Sequence, residues 1–273
     1  MESPTSSSPS SASSISSVSS PDIPITLHIG VLALQGAFIE HISHFKQLQS
    51  YYVSHHSISI IVSEIRTPEE LALVDGLVIP GGESTTIANL ASRWNLIDPL
   101  KEMVEKQQKP IFGTCAGLIL LSNTVKNQKV GGQLLLGGLD ITTQRNHYGT
   151  QMGSFSTIVH VPIFKDNPDF IINNNKTSNN GNSLESKNSQ TGECEALFIR
   201  APGIITIDSA EVKVLATIPN TITNDPNTPV PIAVVQKHLM ATTFHPELTK
   251  DLRWHKYFAD LCLKYKKLGS ISS

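Results

Sequence analysis

The sequence contains little of what marks extracellular, membrane or nucleic-acid-binding proteins. Three of its 273 residues are cysteine, too few for a disulfide framework, and their spacing does not fit a zinc site. The 21 lysines and arginines are scattered and nearly balanced by 23 acidic residues, which argues against a surface for nucleic acid or an anionic membrane. No apolar run is long enough to span a bilayer. We therefore expect a soluble, cytoplasmic protein whose thiols are reduced.

The first 24 residues also lack the features of a targeting signal. They contain no lysine, no arginine and no apolar core, unlike a secretory signal. A transit peptide would be rich in arginine and poor in acids, whereas Glu2 and Asp22 are present here. Twelve of the first 20 residues are serine, and such a segment buries too little apolar surface to offset its ordering entropy. We predict a disordered serine-rich tail over residues 1–24.

The first half of the remaining chain alternates between strand and helix patterns. Apolar runs rich in β-branched residues predict strands at 25–34, 58–65, 75–80 and 110–114. Five stretches carry helical periodicity or helix-start signals; the first begins at Phe38, and the others lie at 67–74, 84–93, about 97–108 and 116–124. Thr67 and Ser84 are the expected N-caps of the second and third stretches. This alternation predicts an α/β domain with a mostly parallel sheet.

The second half has a different character. Its strand-like segments follow one another with few helical patterns between them, which predicts an antiparallel extension or a mixed edge; they lie at 138–144, 154–161, 196–202, 205–218 and 232–244. Residues 251–267 return to helical periodicity. The stretch at about 167–193 is polar, asparagine-rich and low in complexity, and predicts a disordered surface insertion within one domain that spans residues 25–268.

The clearest chemical motif is GTCAG, residues 113–117, which places Cys115 between two glycines where a predicted strand meets a helix. Unpaired backbone N–H groups at a helix start favour the thiolate, the nucleophilic form of cysteine. Gly113 and Gly117 leave room for a sharp turn like the nucleophile elbow of hydrolases, and the N–H of Ala116 would then face a developing oxyanion. The alternative is a small buried core residue, the commonest fate of a free cysteine.

A cysteine nucleophile needs a base, and the segment TTFHPEL contains a histidine two residues before a glutamate. Because the chain has ten histidines, a single one carries little weight. In an extended strand, however, residues two apart project to the same side, so His245 and Glu247 are predicted to lie side by side. His245 can take the thiol proton, and Glu247 can orient and stabilise the imidazolium. The alternative is a surface turn that carries the pair by chance.

An oxyanion hole needs a second donor, and the segment VIPGGEST places a glycine pair at the carboxyl end of a predicted strand. Glycine lets the backbone N–H of Gly82 approach a substrate carbonyl. In open α/β sheets, ligands bind at this edge. The alternative is an ordinary strand-to-helix turn.

The motifs PGGES, GTCAG and FHPE, in this order, resemble those of the class I (triad) glutamine amidotransferases. Longer stretches are similar to one family in that class, the glutaminase subunit of pyridoxal 5'-phosphate synthase (the PdxT/SNO family): IGVLALQGAFIEH, DGLVIPGGESTTI, PIFGTCAGLILL, QRNHYG, FIRAP and ATTFHPELT. The resemblance covers about residues 25–265 apart from the asparagine-rich insertion. It implies a flavodoxin-like three-layer α/β/α domain with a mostly parallel sheet.

By this resemblance the chain hydrolyses L-glutamine to L-glutamate and ammonia through a cysteine thioester. Cys115 would be the nucleophile, His245 the base and Glu247 the orienting acid. Gly82 and Ala116 would supply the oxyanion-hole amides. The resemblance implies no cofactor and no metal, and it names as partner a PdxS/SNZ-type synthase subunit in a large hetero-oligomer, with neither nucleic acid nor membrane involved.

The positions that match the family's glutamine contacts are Gly82, Glu83, Ser84, Arg145, Ile199 and Arg200. An arginine can hold the substrate α-carboxylate and a glutamate its α-ammonium group, but which arginine does so stays open. A purely structural alternative pairs both arginines with acids at strand ends. The family often has an acidic residue where Gly153 stands here, which weakens the transfer of contacts at 149–155.

Two other functions stay open at this point. A cysteine peptidase or another thiol hydrolase on a similar α/β fold would share the elbow, but it gives no reason for GGES together with a distant HPE. A catalytically silent regulatory subunit would not need Cys115, His245 and Glu247 together. Turnover of glutamine against turnover of peptides separates the glutaminase from the peptidase. Labelling of Cys115 by a glutamine-mimicking electrophile tests the silent regulatory subunit.

Overall fold

A seven-stranded sheet forms the centre of the computed structural model, which describes residues 25–127, 133–148, 153–165, 167, 170, 192–220 and 228–271. The tail predicted at 1–24 and most of the insertion predicted at 167–193 lie outside the described residues. In chain order the strands are β1 (Ile25–Leu32), β2 (Ile58–Ile65), β3 (Gly76–Ile79), β4 (Ile111–Thr114), β5 (Ser122–Lys126), β6 (Leu139–Gln144), β7 (Ser154–His160), β8 (Glu193–Ile199), β9 (Gly203–Ile207), β10 (Lys213–Ile218), β11 (Val230–Gln236) and β12 (Leu239–Thr242). The helices are α1 (Phe38–His56), α2 (Pro68–Ala72), α3 (Ser84–Arg93), α4 (Ile97–Glu102), α5 (Ala116–Leu121) and α6 (Arg253–Ile271).

Five neighbouring strands of the central sheet are parallel. The order across the sheet is β10-β11-β12-β4-β3-β1-β2, and the strands from β12 to β2 all run in one direction. At the other edge, β11 is antiparallel to β12 and β10 is antiparallel to β11. The predicted mostly parallel sheet with an antiparallel extension is therefore confirmed.

Apolar side chains cover both faces of this sheet. Successive residues of a strand point to opposite faces, so Val31 at the end of β1 joins one buried cluster and Leu32 joins the other. The first cluster includes residues of α1 and α6, and the second includes residues of α3, α4 and α5. The result is the three-layer α/β/α arrangement that the resemblance implied.

The strands of the second half also form two small sheets. In one, β5 is parallel to β6 and β6 is antiparallel to β9. In the other, β7 pairs antiparallel with β8 over their whole lengths. The β8 strand also reaches the loop after β12, because the Leu197 carbonyl accepts the backbone N–H of His245 at 2.9 Å. Within the described part of the chain, no helix combines the length and apolar character needed to cross a membrane.

The starts of α2 and α3 show two different caps. Thr67 caps α2 as predicted, in a capping box with Glu70. The predicted cap of α3 is wrong, because Ser84 is the first helical residue and Glu83 is the N-cap. The Glu83 carboxylate accepts the Thr86 N–H at 2.7 Å, and a carboxylate at this end is favoured by the unpaired N–H groups and the helix dipole.

Two predicted helices are shorter than expected. The helix predicted at 97–108 is divided into α4 and a π-helical turn, Met103–Gln107. The helix predicted at 116–124 ends at Leu121, and the next residue, Ser122, begins β5.

The sharp turn between β4 and α5 depends on two glycines. A Cβ on Gly113 would lie 2.5 Å from the carbonyl carbon of Gly117, so the two backbones pack directly on each other. A Cβ on Gly117 would lie 2.1 Å from the carbonyl oxygen of Ile79 at the end of β3. This close approach holds the start of α5 against the carboxyl edge of the sheet, where ligands of α/β folds bind.

Gly117→Ala should lower the free energy of unfolding by about 1–3 kcal/mol, because the added methyl group meets backbone atoms that cannot rotate away. Urea unfolding followed by circular dichroism measures this loss. Gly269→Ala is the matched control: a Cβ there meets no atom of the described residues within 4 Å, and alanine in an exposed helix is better than glycine by up to about 1 kcal/mol. Equal stability of Gly117→Ala and wild type would contradict the close approach.

Candidate active site

Cys115 occupies the turn between β4 and α5. Its φ of 48° and ψ of −96° lie in a region that residues with side chains rarely adopt, a strain typical of nucleophile elbows. Its N–H donates to the Thr242 carbonyl at the end of β12 (2.9 Å), which ties the turn to the neighbouring strand. The residue is 6% exposed. Ala116 begins α5, so its N–H has no acceptor within the helix.

His245 follows β12 and faces Cys115. Its ring lies close enough to Cys115 for the thiol to raise the pKa of the imidazole. The ring also lies against Gly81, where a Cβ would be 2.2 Å from Cε1 of His245 and 3.3 Å from Cβ of Cys115. Glycine at position 81 therefore allows the loop after β3 to approach the thiol and the imidazole together.

Glu247 lies directly behind His245. Nδ1 of His245 donates to Oε1 of Glu247 at 2.7 Å, and Glu247 is 2% exposed. The two side chains are adjacent as predicted, but the predicted extended strand is wrong. β12 ends at Thr242, and Pro246–Leu248 form a 3-10 turn. This tight turn, begun by Pro246, places Glu247 under the imidazole.

The charges of the histidine and the glutamate support each other. Burial alone would lower the pKa of His245, but the nearby Cys115 thiol and the hydrogen-bonded Glu247 carboxylate outweigh burial and raise it. Burial would raise the pKa of Glu247, but His41, when charged, and the hydrogen bond from His245 outweigh burial and lower it. Because burial lowers the pKa of His41 itself to about 4, His41 is uncharged at neutral pH. We therefore attribute the ionised state of Glu247 at neutral pH to His245.

The loop after β1 holds the Gly81–Gly82 peptide. The Gly81 carbonyl accepts the Ala37 N–H at 3.0 Å, so the Gly82 N–H on the opposite side of this planar peptide is directed away from Ala37. Oε1 of Gln35 accepts the Glu83 N–H at 2.8 Å and would lie 2.4 Å from a Cβ on Gly82. Only glycine therefore fits at position 82 without displacing Gln35.

Three of the residues predicted to contact glutamine meet at the start of α3, directly after Gly82. Arg145 donates to Oε1 of Glu83 at 2.7 Å. Ser84 and Arg145 both donate to Oε1 of Gln133, each at 3.0 Å. Partial burial would raise the pKa of Glu83, but hydrogen bonds from Thr86 and Arg145 outweigh it and lower the pKa to about 2. The ion pair that the structural alternative expected for Arg145 is therefore present.

The other two predicted contacts, Ile199 and Arg200, lie at the end of β8 and are exposed. They follow Leu197, whose carbonyl holds the backbone of His245. Arg200 has a left-handed backbone with φ of 44°, and its N–H donates to the Gly153 carbonyl. The end of β8 thus lies next to the backbone of His245.

Two residues at the site were not singled out from the sequence. Gln35 supports the Gly82 loop, and His41 lies behind Glu247, with Nε2 of His41 3.5 Å from Oε2 of Glu247. A signal for His41 existed, because it shares the buried face of α1 with Phe45 and Leu48. A polar residue where helical periodicity places an apolar one is a candidate for a buried polar role.

The fold and this array are those of α/β proteins with a cysteine–histidine–glutamate triad at the carboxyl edge of the sheet. The model of the SNO glutamine amidotransferase family matches residues 31–264. The chain belongs to this family.

Individual relatives agree with that assignment. A protein of Arabidopsis thaliana named "Probable pyridoxal 5'-phosphate synthase subunit PDX2" is 39% identical over 260 residues, which cover 90% of this chain and 89% of the relative. The pyridoxal 5'-phosphate synthase subunit PdxT of Herpetosiphon aurantiacus is 38% identical over 233 residues, which cover 85% of this chain and 99% of the relative. A crystal structure of a glutamine amidotransferase matches with a TM-score of 0.63 and 32% identity, covering 86% of this chain and 98% of that one.

Glu247→Gln should lower kcat for glutamine hydrolysis by about 10⁴, because a neutral amide no longer stabilises the imidazolium and its N–H group favours the wrong tautomer of His245. In a measured protease triad, loss of the acid costs about a hundredfold less than loss of the nucleophile. Glutamate release at saturating glutamine measures the effect.

The matched control for this substitution is Glu211→Gln. It removes an exposed carboxylate whose partner, Lys237, is also exposed, and it should keep the wild-type kcat. If Glu247→Gln and Glu211→Gln were equally active, the carboxylate behind His245 would have no orienting role.

Proposed function

We propose that this chain is the glutaminase subunit of a pyridoxal 5'-phosphate synthase, which hydrolyses L-glutamine to L-glutamate and supplies the ammonia to the synthase subunit. The family membership supports the glutamine chemistry, and the names of the relatives support the biosynthetic role. The observation that carries the proposal is the strained Cys115, which lies beside a histidine whose Nδ1 is bonded to a buried glutamate.

The first half of the reaction begins at the sulfur of Cys115. As a thiolate beside protonated His245, it attacks the side-chain carboxamide carbon of glutamine, and an electron pair moves to the carbonyl oxygen. The N–H groups of Gly82 and Ala116 stabilise this oxyanion. Nε2 of His245 then donates its proton to the amide nitrogen, the C–N bond breaks, ammonia leaves and a thioester remains.

The second half consumes water. Neutral His245 takes a proton from a water molecule, whose oxygen adds to the thioester carbon and forms a second oxyanion in the same hole. Collapse of this intermediate breaks the C–S bond, releases glutamate and returns Cys115 as a thiolate beside protonated His245. Glu247 keeps Nδ1 protonated throughout, so that Nε2 always faces the reacting atoms.

Glutamine recognition is assigned to the start of α3 and the end of β8, by way of Gly82, Glu83, Ser84, Arg145, Ile199 and Arg200. The Glu83 carboxylate is ionised at neutral pH and can attract the α-ammonium group. Arg145 is already paired with Glu83, whereas Arg200 is exposed. Both stay candidates for the α-carboxylate, and KM values of Arg145→Ala and Arg200→Ala for glutamine would distinguish them.

The ammonia acceptor is expected on a second polypeptide of the PdxS/SNZ type, in a large hetero-oligomer. The relatives are named as subunits of the synthase, which supports this assignment. Cys115, Cys194 and Cys262 are all free and buried, which fits a reducing compartment, and we propose a cytoplasmic location.

Glutamate release from glutamine by the purified chain, with and without a synthase subunit, tests the proposed function. Wild type should turn over glutamine and not peptides, and Cys115→Ala should remove the activity while keeping the fold, because one small side chain replaces another. A diazoketone analogue of glutamine should label Cys115. Turnover of peptides alone would support a peptidase, and a wild-type chain that neither releases glutamate nor reacts with the analogue would indicate a silent subunit.

A further inference from the structure

Three histidines lie behind the triad, on the side of Glu247 that faces away from Cys115. His41 of α1 and His255 of α6 are both fully buried, and Nδ1 of His41 lies 2.8 Å from Nε2 of His255. The ring of His44, one turn further along α1, lies with its centroid 4.4 Å from that of His255, the two rings being tilted by 30°. Buried imidazoles are retained where their hydrogen bonds are specified, and the reaction steps above use none of these three.

The outer oxygen of Glu247 gives this cluster a role. Oε1 is bonded to His245, but Oε2 is buried, and no donor among the described residues makes a full hydrogen bond to it. Nε2 of His41 lies 3.5 Å from Oε2 and 3.2 Å from the hydroxyl oxygen of Thr114, the residue before the nucleophile. Hydrogen bonds of catalytic groups are often long in unliganded enzymes and shorten in the substrate complex.

The contacts select one pair of tautomers. If His255 donates its Nε2–H to Nδ1 of His41, then His41 carries its proton on Nε2 and presents this N–H both to the Thr114 hydroxyl oxygen, at 3.2 Å, and to Oε2 of Glu247, at 3.5 Å. The Nδ1 atom of His255, which is buried and has no hydrogen-bond partner among the described residues, is then only an unused acceptor. In the opposite tautomers Nε2 of His41 could accept the Thr114 hydroxyl, but its lone pair would also face the carboxylate and an N–H of His255 would be buried with no acceptor among the described residues, which is more costly.

We propose that His41 is a positioning residue for the glutaminase reaction, whose Nε2–H orients Oε2 of Glu247 and whose tautomer is set by His255. This inference rests on the proposed function and extends the triad to a line of five groups, namely Cys115, His245, Glu247, His41 and His255. His41 acts on the thiol only through the carboxylate and the imidazole.

An uncharged His41 suits this role better than a cation. The N–H dipole of neutral His41 orients the Glu247 carboxylate without neutralising it. A positive charge on His41 would instead cancel part of the negative charge of Glu247 that raises the pKa of His245. The titratable groups that face His41 are Glu247 from the 3-10 turn, His245 directly before that turn, His44 from α1 and His255 from α6. Complete burial lowers the pKa of His41 to about 4, so it is neutral in the working range.

His41→Phe keeps a ring of similar size and removes the donor, and His41→Gln keeps an N–H near the position of Nε2. We expect His41→Phe to lower kcat by about tenfold with KM unchanged, because a hydrogen bond to a charged group is lost while glutamine is not contacted. His41→Gln should retain most of the wild-type kcat. Steady-state glutamate release measures both variants.

The pH dependence of Cys115 alkylation by iodoacetamide, followed at Cys115 by mass spectrometry, provides a readout independent of glutamine. Loss of the donor raises the pKa of Glu247, so the acid limb of the profile should move to higher pH in His41→Phe and not in His41→Gln. The matched control is His238→Phe: His238 is also buried, but it bonds the Val104 carbonyl at the opposite end of β12. It should leave kcat and the profile unchanged.

Imidazole ¹⁵N shifts of the wild-type chain test the tautomers without any substitution, and decide the matter if His41→Phe does not fold. Neutral Nε2–H forms of both His41 and His255 at neutral pH are expected. Any of four results would overturn the inference. Two come from the ¹⁵N shifts, namely a charged His41 or an Nδ1–H form of His41. The other two are equal losses of kcat in His41→Phe and His41→Gln, or a wild-type alkylation profile in folded His41→Phe. If wild type does not hydrolyse glutamine, the proposed function fails, while the alkylation and ¹⁵N measurements still decide on His41.

Discussion

The contact between the Gly117 backbone and the carbonyl of Ile79 is the constraint on which the candidate site depends. It brings the start of α5 against the end of β3 and forces Cys115 into its strained conformation between two glycines. Any side chain at this contact would push α5 outwards and turn the thiol away from His245. The strain at Cys115 is held by the buried strands on either side, because β4 pairs with β12 along its full length and with β3 as far as Gly113.

Around this turn, the polar groups of the site lie in a buried environment that makes each of them depend on its neighbour. A carboxylate as buried as Glu247 is costly unless it is bonded. His245 bonds one of its oxygens, and the histidine cluster of α1 and α6 lies beside the other. The helices α1 and α6, which belong to one outer layer, thereby contribute to the chemistry at the edge of the sheet. The packing of these helices is in this way linked to the protonation state of Cys115.

Much of the fold was predictable because apolar periodicity and turn chemistry act locally. The strand at 58–65 has its predicted bounds, and Thr67 caps α2 as its spacing from Glu70 indicates. The failures have local causes as well. Ser84 and Glu83 are both competent caps, and the carboxylate occupies the cap position because its other oxygen pairs with Arg145, 62 residues further along the chain. His245 and Glu247 were expected to share one side of a strand, whereas Pro246 starts a 3-10 turn that brings them together by another route.

The sequence by itself determined the α/β class, the elbow at Cys115 and the identity of the triad candidates, because those features depend on residue type and short-range spacing. The tertiary structure alone decided that Arg145 pairs with Glu83, that Gln35 supports the Gly82 loop, and that His41 and His255 lie behind Glu247. Contacts between α1 and α6 join residues separated by 214 positions. Helical periodicity marks His41 as buried on the apolar face of α1, but it does not show that the ring meets Glu247, since that contact forms only when the two helices cover the same face of the sheet.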